Sequence, residues 1–174
     1  MALREIITEP SEILRKKSLP VDIVDEGLQQ LMNDMLETMY AAPGIGLAAI
    51  QIGVPKRVIV LDITRKDEPK NPMYFVNPEV ISKSQINSTY EEGCLSVPGQ
   101  FAEIDRPDKC HIKYLDYYGK TKELKTEGML ATCIQHEIDH LEGILFIDYL
   151  SKLKKTMIVK KLSKQKKAIE RIVV

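Results

Sequence analysis

The stretch TEGMLATCIQHEIDHLEG, residues 126–143, decides the fold. After Thr-Glu-Gly it reads as a long helix of roughly Met129 to Glu142, with Gly143 placed as its C′ residue. The segments before it have the strand period. RVIVLDI (57–63) is a short β-branched run, and MYFVNPEVIS (73–82) reads as a strand interrupted or bent at Pro78. Phe101 to Lys125 alternates like a hairpin, with Tyr118-Gly119-Lys120 as its turn.

Helices flank these strands. In residues 25–44, Leu28, Leu31, Met32, Met35, Leu36 and Met39 recur at three and four, and Pro43 and Gly44 end the helix. A basic helix of about 150–170 carries an apolar stripe at Leu150, Leu153, Met157, Leu162 and Ile169. Without a βαβ rhythm, this order predicts an α+β fold. Antiparallel β-sheets would pack around the central HExxH helix, with N-terminal and C-terminal helices. No linker or repeat splits the chain, so residues 1–174 are expected to form a single domain.

The formal net charge of zero is a cancellation. Residues 151–174 hold nine Lys or Arg against Glu170, so the rest of the chain is acidic. That tail is either a solvated helix face or an electrostatic attachment to RNA. MALREIITEP has no apolar core of a secretory signal, and no apolar run approaches the ~18 residues of a membrane span. Three cysteines, an odd number, argue against a disulfide framework and for a metal or reactive thiol. An intracellular protein is expected.

His136 and His140, at i and i+4, project from one helical face, and Glu137 stands beside the first. Two imidazoles so spaced can share a metal, with the glutamate taking a proton from water. A catalytic site of this kind needs a third protein ligand and an open position. The position six residues beyond His140, where an extended metalloprotease pattern has histidine, is Phe146. Downstream, Glu170 is the one carboxylate far enough away, and it lies amid lysines. Upstream, Cys133 is nearly two turns from His140 and suits a pocket wall. Cys110 alternates onto a core face and His111 onto a solvent face. Cys94, in YEEGCLSVPG (90–99), sits where a turn or strand end can aim a thiolate outward, and is the favoured third ligand.

Three segments together resemble peptide deformylases: GIGLAAIQ (44–51), EGCLS (92–96) and QHEIDHLEG (135–143). The resemblance implies hydrolytic removal of the N-formyl group from the N-terminal formylmethionine of nascent polypeptides, in the cytoplasm. It implies metal ligands Cys94, His136 and His140, catalytic acid/base Glu137, and oxyanion donors in the Gln51 side chain and the Leu95 backbone N–H. Family resemblance favours Fe2+, with Zn2+ or Ni2+ as substitutes, whereas the ligand set alone suits zinc. Gly44 and Gly46 would let a peptide lie against GIGLAA as an added strand, and Gly93 is a further substrate-binding candidate. Ile45, Met129 and Cys133 are candidates for the methionine pocket. Glu92, Asp139 or Glu142 would orient the histidines, with Arg106 as a cationic partner. A monomer, and ribosome contact through the basic helix, are implied in the same way. Two alternatives remain: an HExxH metallopeptidase cleaving peptide bonds, and a closed structural metal site in an RNA-binding module.

Overall fold

A computed structural model describes residues 2–173. The first helix, α1 (Glu26–Ala41), starts where Asp25 accepts the Leu28 N–H at 2.8 Å. Its apolar face, Leu28, Met32, Met35 and Met39, is buried against Leu47, Val58, Val60 and Val76.

Five strands form an antiparallel sheet in the order β1-β2-β3-β6-β7. These are β1 (Gly46–Ala48), β2 (Val58–Leu61), β3 (Met73–Lys83), β6 (Lys109–Leu115) and β7 (Thr121–Glu127). Two more, β4 (Asn87–Cys94) and β5 (Val97–Pro107), pair in a separate hairpin. The expected alternation over 101–125 therefore divides. The hairpin is β6–β7, turning through residues 116–120, whereas β5 pairs with β4. The break falls at Pro107-Asp108, where proline has no N–H for a ladder and the Asp108 N–H goes to Ile86 O at 2.9 Å. β3 is bent rather than interrupted. Asn77 adopts φ +50 ahead of Pro78, and its side chain exchanges two 2.8 Å bonds with the Val21 backbone.

The second helix, α2 (Gly128–Leu141), follows β7 directly. Ala131, Ile134 and Leu141 pack on Ile50, Ile59, Phe75 and Ile112 of the sheet side. Burying Ile134 stabilises this contact by about 1.5–3 kcal/mol. Gly143 ends the helix at φ +75, as its C′ role requires. A Cβ there would also collide with the Arg15 backbone. The opposite side of α2 faces β4 and β5, so the HExxH turn is enclosed between the two sheets.

The third helix, α3 (Lys152–Val173), starts later than expected. Leu162 is buried and Ile158 and Val159 pack beside it on Val97 and Phe146. Leu153, Met157 and Ile169 are exposed, so the expected stripe is only partly a core face. Its seating is narrower because α3 meets a single edge of the body. No helix among the described residues is long and apolar enough to cross a membrane.

Candidate metal centre

Three elements converge on one point. Helix α2 contributes His136 and His140, whose rings lie 5.1 Å apart, and Cys94 ends β4 just before the Leu95-Ser96 turn. The ligand atoms of Cys94, His136 and His140 all lie within 4.8 Å of one another, with Cys94 Sγ 3.3 Å from His140 Nε2. They form the one such cluster of His, Cys and acidic side chains among the described residues. Glu170 is exposed on α3 and takes no part. Phe146, in the place of a third histidine, is buried and stacks on the His136 ring at 6.2 Å.

Carboxylates fix the imidazoles. His136 Nδ1 donates to Glu92 at 2.8 Å, which leaves Nε2 as its free nitrogen. Arg106 grips both oxygens of Glu92 at 2.7 and 3.0 Å and donates to Asp139 at 2.8 Å. The Tyr149 hydroxyl also donates to Asp139, and its ring lies 4.9 Å from the guanidinium. Burial opposes charge on Glu92, but His136 and Arg106 outweigh it and hold its pKa below the usual carboxylate range. Removing one member of such a buried pair costs about 3–5 kcal/mol, so the frame is stiff. Glu142 points elsewhere, to Arg57 at 2.8 Å and Lys17 at 3.4 Å.

The donor set fits a metal ion. His140 is fully buried and pushed well below its ordinary pKa by burial, so it stays a neutral ligand. Burial also works against a charged His136, yet Cys94 and Glu92 outweigh it and raise that pKa well above the ordinary value. One thiol and two imidazoles, buried on one side and open to a cleft on the other, form a donor set that suits a metal with one position left free.

Glu137 Oε1 lies 4.0 Å from His136 Nε2, and Oε2 is buried without a hydrogen-bond partner among the described residues. Burial raises its pKa to about 7. Gly46 makes room for it, since a Cβ there would lie 2.5 Å from Oε1. Gln51 is buried. Its Oε1 accepts the Ala48 N–H at 2.9 Å, which turns its NH2 toward Ser96 Oγ at 3.0 Å and Cys94 Sγ at 3.5 Å. The extended N-terminal segment ties these loops together, with Ile7 N–H on Gln51 O at 2.7 Å and Glu9 N–H on Ser96 O at 2.8 Å.

A cleft of 470 Å³ opens over this centre. Gly44, Ile45, Gly46, Gly93, Met129 and Cys133, six residues singled out in the sequence, all line it. Gln51, Cys94, Leu95, His136 and Glu137 do so as well, while His140 lies behind the lining. Met129 is 48% exposed, so it is a cleft residue and not core. The Cys133 thiol is pushed up to about 12 by burial and stays neutral. Cys110 is buried as expected, while His111 is half-buried beside Glu123 rather than fully exposed. Sequence reasoning missed Ser96 beside Gln51, Tyr149 on Asp139, and Thr132, a buried residue that lines the cleft. Thr132 lies one turn before His136, a spacing that could have revealed it, whereas nothing in the spacing points to Tyr149.

A family model described as polypeptide deformylase matches residues 3–156, which ends in the first turns of α3. The peptide deformylase of Pelagibacter ubique is 66% identical over 166 residues, covering 95% of this chain and 96% of the relative. That of Maricaulis maris is 60% identical, covering 98% of each. The crystal structure of peptide deformylase from Ehrlichia chaffeensis in complex with actinonin superposes with a TM-score of 0.91. It is 42% identical and covers 95% of this chain and 98% of that one. The fold, the metal cluster and these likenesses over nearly the whole length agree: the chain belongs to the polypeptide deformylase family.

Proposed function

We propose that this chain hydrolyses the N-formyl group from the N-terminal formylmethionine of nascent polypeptides, releasing formate. One observation carries it: Cys94, His136 and His140 gathered within 4.8 Å beside Glu137, in a peptide-sized cleft. Glu170, exposed on α3, takes no part in the cluster, and a peptidase completed by Cys94 is distinguished by the assay below.

Cys94, His136 and His140 would hold a divalent ion, which would supply Lewis acidity and ease the deprotonation of water. Glu137, next to His136 Nε2 and with Oε2 unpartnered, takes the proton as the water oxygen attacks the formyl carbon. Negative charge then builds on the formyl oxygen. The Gln51 NH2, oriented through Ala48, and the Leu95 N–H at the turn donate to it. As the C–N bond breaks, Glu137 passes its proton to the leaving amine, and formate departs. Backbone of Gly44 to Gly46 and of Gly93 holds the peptide extended, and Ile45, Met129 and Cys133 receive the methionine side chain. The ion we assign is ferrous iron, with zinc or nickel able to substitute; likeness to the family supports iron.

Residues 1–174 act as one catalytic domain, monomeric and cytoplasmic. The basic α3, with its eight lysines, contacts ribosomal RNA near the exit of the nascent chain. Purified protein given formyl-Met peptide and its acetylated counterpart tests the reaction: formate from the first alone supports it, and internal cleavage opposes it. Removing residues beyond about Ser151 should leave short-peptide hydrolysis intact and abolish salt-sensitive ribosome binding. Unchanged binding would remove the ribosome from the account.

A further inference from the structure

The catalytic cleft continues beyond its own walls. Gln100 and Phe101 line it and also line a second groove, of 630 Å³, between β5 and α3. Phe101 is 66% exposed and Met157, across the groove on α3, is 61% exposed. Two large apolar side chains thus stand open to water along one channel, where a passing apolar side chain would cover both. Lys154 and Lys161 stand in the same groove, against one acid, Glu103. Unlike Lys155, which pairs with Asp148 at 2.7 Å, neither makes a salt bridge among the described residues.

We propose that this groove holds the part of the formylated peptide that follows the residues bound in the cleft. It favours a segment that sets an apolar residue beside Asp or Glu. The proposal rests on the deformylase reading and adds a preference to it. Continuity through Gln100 and Phe101 gives the chain a path out of the cleft that needs no rearrangement. Two unpaired ammonium groups against one carboxylate make the acidic segment the better fit.

The test compares formyl-Met-Ala-Ser with peptides that extend it by four residues, two each of Leu and Asp, of Leu and Lys, or of Gly and Ser. Relative to the tripeptide, kcat/KM should be highest for Leu/Asp and lowest for Leu/Lys. The gap should be roughly two- to fivefold per lysine, the range of an exposed ion pair, and should shrink in salt. Affinities of the corresponding unformylated peptides, read by fluorescence anisotropy, should follow the same order. The double change Lys154→Glu with Lys161→Glu should invert both orders. Equal ratios for the three extensions overturn the proposal, as does a preference that survives the charge reversal. No formate from the tripeptide would sink the deformylase reading and the groove with it; formate without a charge preference overturns the groove alone.

Discussion

Nδ1 of His136 donates to the Glu92 carboxylate across 2.8 Å, and Arg106 holds that carboxylate by both oxygens. The bond fixes the imidazole's tautomer and leaves Nε2 for a metal. Glu92→Gln keeps the size and loses the charge, so metal affinity should fall about 10–100-fold. Competition with a chelator reads it, and an unaltered affinity would show that His136 is oriented by packing against Phe146 instead.

Glu137→Gln should leave the ligand set complete while removing the proton acceptor. Metal content is expected to stay at that of the unmodified protein, and formate release to drop about 10²–10⁴-fold. If metal is lost together with activity, Glu137 serves the metal and not the proton.

Gly46→Ala would set a methyl 2.5 Å from Glu137 Oε1 and 2.9 Å from Leu61 Cδ2. The leucine can give way, but the carboxylate must move. A displacement of about 1 Å can cost 10²-fold in rate, so kcat should fall by about that much. Melting temperature checks that the fold persists, and an unchanged kcat would mean that Glu137 works from another position.

How much of the fold and site is legible in the sequence depends on range. His136, Glu137 and His140 lie within five consecutive residues, so helix geometry alone joins them. Cys94 is brought to them by β4, whose inward positions Ser88, Tyr90 and Glu92 are polar, so the segment shows no apolar alternation. Its place rested on an unfilled ligand position and on family likeness. Arg106 could be named as a cation but not joined to both Glu92 and Asp139, since those contacts span 14 and 33 residues. The assignment of β5 to a second sheet was hidden for the same reason: alternation shows which face is buried, not which strand is the partner.

Far from the site, the Arg4 guanidinium leads in lowering the Asp34 pKa to about 2, and Gln30 and the Ala2 N–H add to the effect. Because the folded pKa lies below the ordinary value near ~3.9, the pair stabilises the fold above about pH 4 and stops doing so as pH falls toward 2. Asp34→Asn should lower the melting temperature near neutral pH, with the gap to the unmodified protein closing across that window. A gap independent of pH would show that the loss is one of packing.

The most direct test of the central claim is formate release from formyl-Met-Ala-Ser by protein purified without oxygen and assayed for metal, alongside Cys94→Ala. One equivalent of iron with stoichiometric formate, both lost in Cys94→Ala, is the expected result. Retention of metal and activity without the Cys94 thiol, or cleavage of an internal peptide bond, would contradict it.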